Sequence, residues 1–439
     1  MTVRRAAGAA SVLALAAALL AGCAPASESA VTFRLWDPQA ADAYEASFEE
    51  FREETGVPVD VELVPWADYW TQLRVDIASG AAPDVFWTNA TAFPEYQRAG
   101  RLLPIGSVLG SDAADGWEPR VVEQYTADGE LWGVPQLTDP GIGIFYNADA
   151  LAAAGVTADQ VADLSWDPAA ETDPLREVAA ALTRDAAGQS PGKPGFDPER
   201  VEQWGYSASN DLNAILLQFL GSNGAAWQDG DEFVFDSPAA VEALAYVVDL
   251  INADRVAPPA SATNPPAGGD AARDLFLQGR IALFQTGAYN LANIAEAAPF
   301  DWGIAPLPAG PAGAISVTNG VVAAASADSD APDEQRRVLE WIASPEGLRH
   351  LGADGSALPA VLDAQDAYFG FWADQGVDVS PLLDVLDNGM VQPPQGADYP
   401  AAENAYRPIL NEVFAGREPV EEGLRRAAAA ANEAMRRDG

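Results

Sequence analysis

Val31-Thr32-Phe33-Arg34-Leu35-Trp36, Val57-Pro58-Val59-Asp60-Val61-Glu62-Leu63 and Pro83-Asp84-Val85-Phe86-Trp87 decide the fold. The first two alternate apolar with polar residues, the period of a strand with one buried face. Between them Tyr44, Phe48 and Phe51 recur at i, i+4, i+7, a helical stripe that Gly56 and Pro58 close. A second helix, around Trp70 to Ser79, passes through Gly80 into the third strand. The order βαβαβ implies a parallel sheet with right-handed crossovers. In such sheets ligands bind beyond the carboxyl ends of the strands. Trp36-Asp37 follows the first strand, Trp66-Ala67-Asp68-Tyr69 the second and Thr88-Asn89 the third. Indole faces beside carboxylates and amides suit a polyhydroxylated ligand, whose C–H face stacks while its hydroxyls are bridged. Each Trp could instead be core and each Asp a helix N-cap. Asp68 and Trp70 are read that way, and Trp36 and Trp66, just past strand ends, as walls of a site.

At 439 residues the chain has room for two or three domains, and 49% hydrophobic residues supply large cores. Sixty-five acidic residues face 24 basic ones, of which only Lys193 is a lysine, for a net charge of -41. Such a surface repels nucleic acid and anionic lipid headgroups. His350 is the only histidine and Cys23 the only cysteine, which removes zinc-finger, haem and iron–sulfur constellations. No Gly-rich phosphate loop ends in Gly-Lys-Ser/Thr, and no cofactor is expected. An oxygen-liganded calcium would still be compatible with the composition.

The first residues set the compartment. Arg4-Arg5 precedes an uncharged, Leu/Ala-rich stretch from Ala6 to Gly22, short for a membrane span and of the length of a secretory h-region. It ends in Leu20-Ala21-Gly22-Cys23, which resembles the bacterial lipobox. That resemblance implies a signal peptide over 1–22, a lipidated Cys23 at the head of a tether over 23–30, and a location on the extracytoplasmic face of the cell membrane.

Further motifs follow in order. Trp66-x-x-Tyr69, Ala78-Ser79-Gly80-x-x-Pro83-Asp84-Val85 and Gly100-x-Leu102-x-Pro104 are joined by Gly133-Val134-Pro135 and Phe145-Tyr146-Asn147. Phe276-x-x-Gly279-Arg280-Ile281-Ala282-Leu283-Phe284-x-x-Gly287-Ala288-Tyr289, Trp302 to Pro308 and Gly320-Val321-Val322-Ala323 complete the set. Together they resemble the extracellular solute-binding proteins of ABC sugar importers. The resemblance implies an α/β, two-lobed periplasmic-binding-protein fold, each lobe a mostly parallel sheet flanked by helices, joined by a hinge of chain crossings. The crossings are expected near Asp139, Asn319 and Phe371, giving a first lobe of 31–138 plus 320–370 and a second of 139–319 plus 371–439. It further implies a sugar or oligosaccharide ligand, permease partners and a monomer, without catalysis. Ligand contacts are expected from Trp36, Asp37, Trp66, Tyr69 and Asn89, and from Asp139, Asp211, Asn213, Tyr289, Asn319 and Trp372. Asp211 could equally be a helix cap. Arg407 could meet an acidic sugar, and nothing in the sequence decides it.

Two alternatives stay open from residues alone. The same fold could take a polyamine, a peptide or a metal chelate, and an extracellular carbohydrate-active enzyme would also gather aromatics and acids, though no carboxylate pairing stands out. The lipobox gives a direct expectation. Cys23→Ser should leave the protein unprocessed or release it to the medium in cell fractionation; a variant as membrane-bound as the parent would refute lipid attachment.

Overall fold

Burial in β1 (Val31–Leu35) alternates as the sequence dictates, with Val31, Phe33 and Leu35 inside. The computed structural model describes residues 30–437 apart from 111, 171, 264–269, 318 and 397–398. The export segment, Cys23 and all of the tether except Ala30 therefore lie outside the described residues. Asp37 caps α1 (Pro38–Thr55), accepting from the Ala40 N–H at 2.9 Å, and Gly56 ends it at φ 79°, a left-handed conformation that favours glycine. The helix buries the expected stripe of Tyr44, Phe48 and Phe51 against Phe33 and Trp87.

β2 (Val59–Leu63) pairs with β1 in parallel, Val31 opposite Val59 through Leu35 opposite Leu63. Arg34 locks this edge, reaching Glu62 at 2.8 Å and Asp76 of α2 (Trp66–Ser79) at 2.6 Å. β3 (Val85–Asn89) lies parallel on the other side of β1. The remaining strands come from further along the chain. β4 (Val134–Thr138) is the far edge, and β11 (Gly320–Ala325) runs antiparallel between β3 and β4. The order is β2-β1-β3-β11-β4.

The second sheet contains β5 (Ile142–Asn147), β6 (Arg184–Asp185), β7 (Val201–Tyr206), β8 (Ile281–Gly287) and β9 (Trp302–Ala305) in the order β9-β5-β8-β7-β6. It is mixed rather than mostly parallel: β8 and β7 are parallel, while β5 runs against both β8 and β9, and β6 against β7. The reason is the route of the chain. β5 carries the chain away from the first sheet, whereas β8 and β9 run back towards it, so Gly287 ends opposite Ile142. The carboxyl ends of β7, β8 and β9 therefore point to the junction, as does that of β4.

Two crossings fall at 139–141, between β4 and β5, and between β10 (Ser316–Val317) and β11, by way of Asn319. β10 pairs in parallel with β12 (Met390–Val391). The boundary expected at 370/371 needs correction, because a continuous helix, Gln365–Asp374, runs through it. Tyr368 and Trp372 of that helix pack with Phe145, Trp204 and Phe284 of the second sheet. Its attachment to this core begins before Phe371.

Packing in the second lobe is tight enough to require glycine at one point. A Cβ on Gly205 of β7 would lie 1.9 Å from the carbonyl oxygen of Ala179, on the helix Pro174–Leu182. Backbone cannot give way as a flexible side chain does. Gly205→Ala should cost about 3 kcal/mol, the upper end for overpacking, read as a lower urea midpoint at an unchanged slope.

Candidate functional site

Trp36 leaves the end of β1 into a nest of rings. Its centroid lies 5.3 Å from Trp66 and 5.1 Å from both Tyr69 and Trp87, all near edge-on, and 5.3 Å from Trp70. Edge-to-face rings match a positive rim to a negative face and hold each other in fixed orientation. Trp66, the first residue of α2, stands at the outside of the nest, 51% exposed. Large exposed indoles are unusual on a folded surface, and this one is backed by a rigid aromatic wall.

Tyr69 behaves otherwise. It is fully buried, and its hydroxyl lies 2.7 Å from the Trp87 carbonyl and 3.3 Å from that of Arg34. The expected ligand contact is corrected: Tyr69 ties α2 to β1 and β3. Trp70, read as packing, is partly buried and supports both Trp36 and Trp66.

Asn89 ends β3 and accepts from the Ala92 N–H at 2.9 Å through its side-chain oxygen, leaving the amide nitrogen as a donor for a ligand. Asp37 holds the start of α1 in the same manner. Burial raises its carboxyl above the usual range, against the favourable N–H groups of Ala40 and Gln39, with Asp354 adding repulsion. In Asp37 the cap uses one carboxyl oxygen and leaves the second, and in Asn89 it uses the side-chain oxygen and leaves the amide nitrogen, so a cap does not preclude a ligand contact.

The second lobe contributes an acidic wall. Asp139, in the first crossing, is 7% exposed and its backbone N–H donates to the Asn319 carbonyl at 3.1 Å. Burial pushes its carboxyl up to about 7, against the N–H groups of Gly141 and Ala288. Asp211 follows β7 and caps the π-helical turn Leu212–Leu216 through the Ala214 N–H at 2.8 Å, so the cap reading holds for it too. Its carboxyl is also raised, first by the surrounding protein; the Ala214 N–H opposes this, Asp270 reinforces it and Arg407 moderates it. Tyr289 follows β8, 44% exposed, its hydroxyl kept from ionising by the surrounding protein and then by Asp211. A side chain open to water yet walled by protein belongs to the side of a cleft. A Cβ at Gly287 would meet the Tyr289 ring at 2.4 Å, so the glycine lets that ring lie against the end of β8.

The charges of Asp211 and Asp139 thus both reach the Tyr289 hydroxyl. Asn213 is exposed on the turn that Asp211 caps, and Asn319 is partly buried beside Asp139. Trp372 is the second correction. At 1% exposure, in contact with Phe371 and Tyr368, it is core and no platform for a ligand. Arg407 pairs with Glu403 one helical turn away. Sequence reasoning missed Asp270, which caps the helix Ala271–Leu277 and accepts from the Asn290 side chain at 2.8 Å, next to Tyr289. Its signal was an Asp immediately after a Pro/Gly-rich stretch and before an Ala-rich helix. Among the described residues no cluster of His, Cys, Asp and Glu could hold a metal, and no helix is long and apolar enough to cross a membrane.

A family profile described as "Bacterial extracellular solute-binding protein" matches residues 37–348. The chain belongs to this family. UspC of M. tuberculosis is 49% identical, with a TM-score of 0.75 over 92% of this chain and 100% of that one. The ABC substrate-binding protein Lmo0181 from Listeria monocytogenes, solved in complex with cycloalternan, shares 22% identity and a TM-score of 0.77 over 92% and 98% of the two chains. A Brucella abortus binding protein is 23% identical over 334 residues, 74% of each chain. The walls described here rise from the junction of the two sheets.

The raised Asp139 carboxyl makes stability depend on pH. Folded, Asp139 keeps its proton to about pH 7; unfolded, it would lose it near ~3.9. The folded state binds the extra proton in that window, so stability falls as pH rises from about 4 to about 7, by as much as a few kcal/mol. Asp139→Asn should lack this slope, so the parent should gain stability relative to the variant at pH 4.5 over pH 7.5 in urea titrations. Parallel pH profiles would contradict the placement of a buried carboxyl at the junction.

Proposed function

We propose that this chain is the capture component of an ABC importer and that its solute is a carbohydrate held between the two lobes. The observation that carries the reading is Trp66. It is an exposed indole braced edge-on by Trp36 at the carboxyl end of the parallel strands of the first sheet, while carboxylates and a tyrosine line the other wall. Such a site exchanges sugar hydroxyl–water bonds for bonds to Asp37, Asn89, Asp139 and Asp211 at small net gain each. Asn213 and Asn319 complete the proposed polar contacts. The surplus comes from apolar sugar faces stacked on Trp66, Trp36 and Tyr289 once lobe closure expels water. Relatives of the same fold have been solved with oligosaccharides or analogues, among them cycloalternan on Lmo0181 and acarbose on the GacH receptor of Streptomyces glaucescens.

In this reading the protein acts as a monomer without turnover, tethered through a lipid on Cys23, and passes its sugar to the permease. A thermal-shift screen of mono- and oligosaccharides tests the solute class, since a ligand at 100 times its Kd stabilises by ~2.7 kcal/mol. A screen in which polyamines, peptides or metal chelates shift the transition and no saccharide does would replace carbohydrate with that class.

The wall residues separate binding from packing. Trp66→Ala and Tyr289→Ala should each weaken the best sugar by about thirtyfold, the ~2 kcal/mol of a desolvated aromatic anchor. Trp372→Ala should instead cost about 3–5 kcal/mol of stability and leave the affinity of the folded fraction unchanged. Calorimetry on the three variants checks both statements.

A further inference from the structure

A cavity of about 590 Å³ opens between the lobes, and none of the expected contact residues lines it. One side is built by α3 (Phe93–Arg98) and the helix Pro119–Gln124 of the first lobe, the other by the turn at Gly230-Asp231 and the segment from Met390 to Gly396. Its size is that of a ligand site. Its floor is small and apolar, from Phe93 and Met390, and amides stand around it: Gln97, Gln124, Gln392 and Gln395. An amide donates and accepts at once, as a hydroxyl does, so this lining fits polyols better than ions. Two arginines are outnumbered by three carboxylates in the lining, which makes it no anion site.

The framework under these amides is fixed from both sides. Phe93 is 3% exposed and packs on Tyr125 at 5.1 Å. The Gln395 backbone is clamped by Gln228, whose side chain accepts from its N–H and donates to its carbonyl, both at 2.8 Å. The side-chain amides of Gln97, Gln392 and Gln395, by contrast, have no protein partner among the described residues. Gln124 accepts from the N–H of Gly320 at 2.9 Å, which seats the cavity at the start of β11.

That position relates the cavity to the aromatic wall. Along the carboxyl edge of the first sheet come Trp66 after β2, Trp36 after β1, Asn89 at the end of β3, and then Gly320 with Gln124 at β11. Asn89 caps the turn that leads directly into Phe93. From β2 to β11 are three interstrand spacings of ~4.8 Å, about 14 Å in all. One pyranose ring cannot cover that distance.

We propose that the amide-lined cavity is a second subsite and that the solute is an oligosaccharide, stacked at one end on Trp66 and hydrogen-bonded at the other by Gln97 of the first lobe and Gln392 of the second. The inference rests on the carbohydrate reading above. Because each lobe supplies one of the two amides, the far end of the sugar chain reports lobe closure as well as length.

The test titrates the full-length body with glucose, mannose and N-acetylglucosamine ladders of one to five rings. For the ladder that binds, affinity should rise by tenfold or more between the one-ring member and those long enough to reach the cavity. The double variant Gln97→Ala, Gln392→Ala should remove about tenfold from the long members, the loss of two hydrogen bonds, and leave the one-ring member unchanged. Trp66→Ala should weaken both. Gln392 is exposed and Gln97 half-buried, and an unchanged melting temperature without ligand confirms the fold. Saccharides that bind with no dependence on length, or a double variant that binds long and short members like the parent, overturn the second subsite alone. If the parent binds no member of any ladder, the carbohydrate reading falls and the subsite with it.

Discussion

The hydrogen bond from the Asp139 N–H to the Asn319 carbonyl, 3.1 Å long, couples the two crossings on which the architecture turns. One residue earlier, Thr138 pairs with Gly320 as the last rung of the first sheet. Three residues later, Ile142 begins the second sheet. The passage is narrow. Gly141 sits at φ 113°, and a Cβ there would come within 2.9 Å of the Leu382 carbonyl oxygen, so only glycine fits. Each sheet therefore hangs from the same short stretch of chain, and the strand ends that bear the functional side chains meet there.

The two walls do different physical work. The first-lobe wall is apolar and preorganised: Trp36 and Trp70 brace the exposed Trp66, and Tyr69 and Trp87 in turn hold Trp36. Preorganisation lowers the entropy lost when a ligand stacks there. The second-lobe wall is polar, and its carboxyls are raised by the surrounding protein. Of the two, Asp139 is buried and Asp211 exposed, so a ligand hydroxyl would displace little water from the first and more from the second.

Much of this was legible in the chain. The three opening strands, the stripe of Tyr44, Phe48 and Phe51, and the placing of Trp36 and Trp66 follow from periodicity and from the rule of strand ends. The two aromatic misassignments, Tyr69 and Trp372, share a cause. Tyr69 heads the buried series Tyr69, Leu73, Ile77, and Trp372 stands four residues after the buried Tyr368. Those i, i+4 spacings mark an inward helical face, and motif position outweighed them. The mixed second sheet was not legible, because strand direction there depends on which way the chain returns to the junction. The amide cavity was equally hidden, since its glutamines are scattered over some 300 residues and only the fold assembles them.

Asp37, Asn89 and Asp211 each hold the start of a helix or turn through one side-chain oxygen, and the proposed ligand contacts fall to the second oxygen of the aspartates and to the amide nitrogen of Asn89. This double duty limits how such a protein can diverge. Exchanging any of them for an apolar residue to suit a new solute would also uncap a helix, at about 1 kcal/mol apiece. Trp66, Gln97 and Gln392 carry no such obligation to the scaffold. Descendants or engineered forms with altered appetite should therefore keep the caps and rewrite the rings and amides, so that specificity can drift while the hinge and its helices stay as they are.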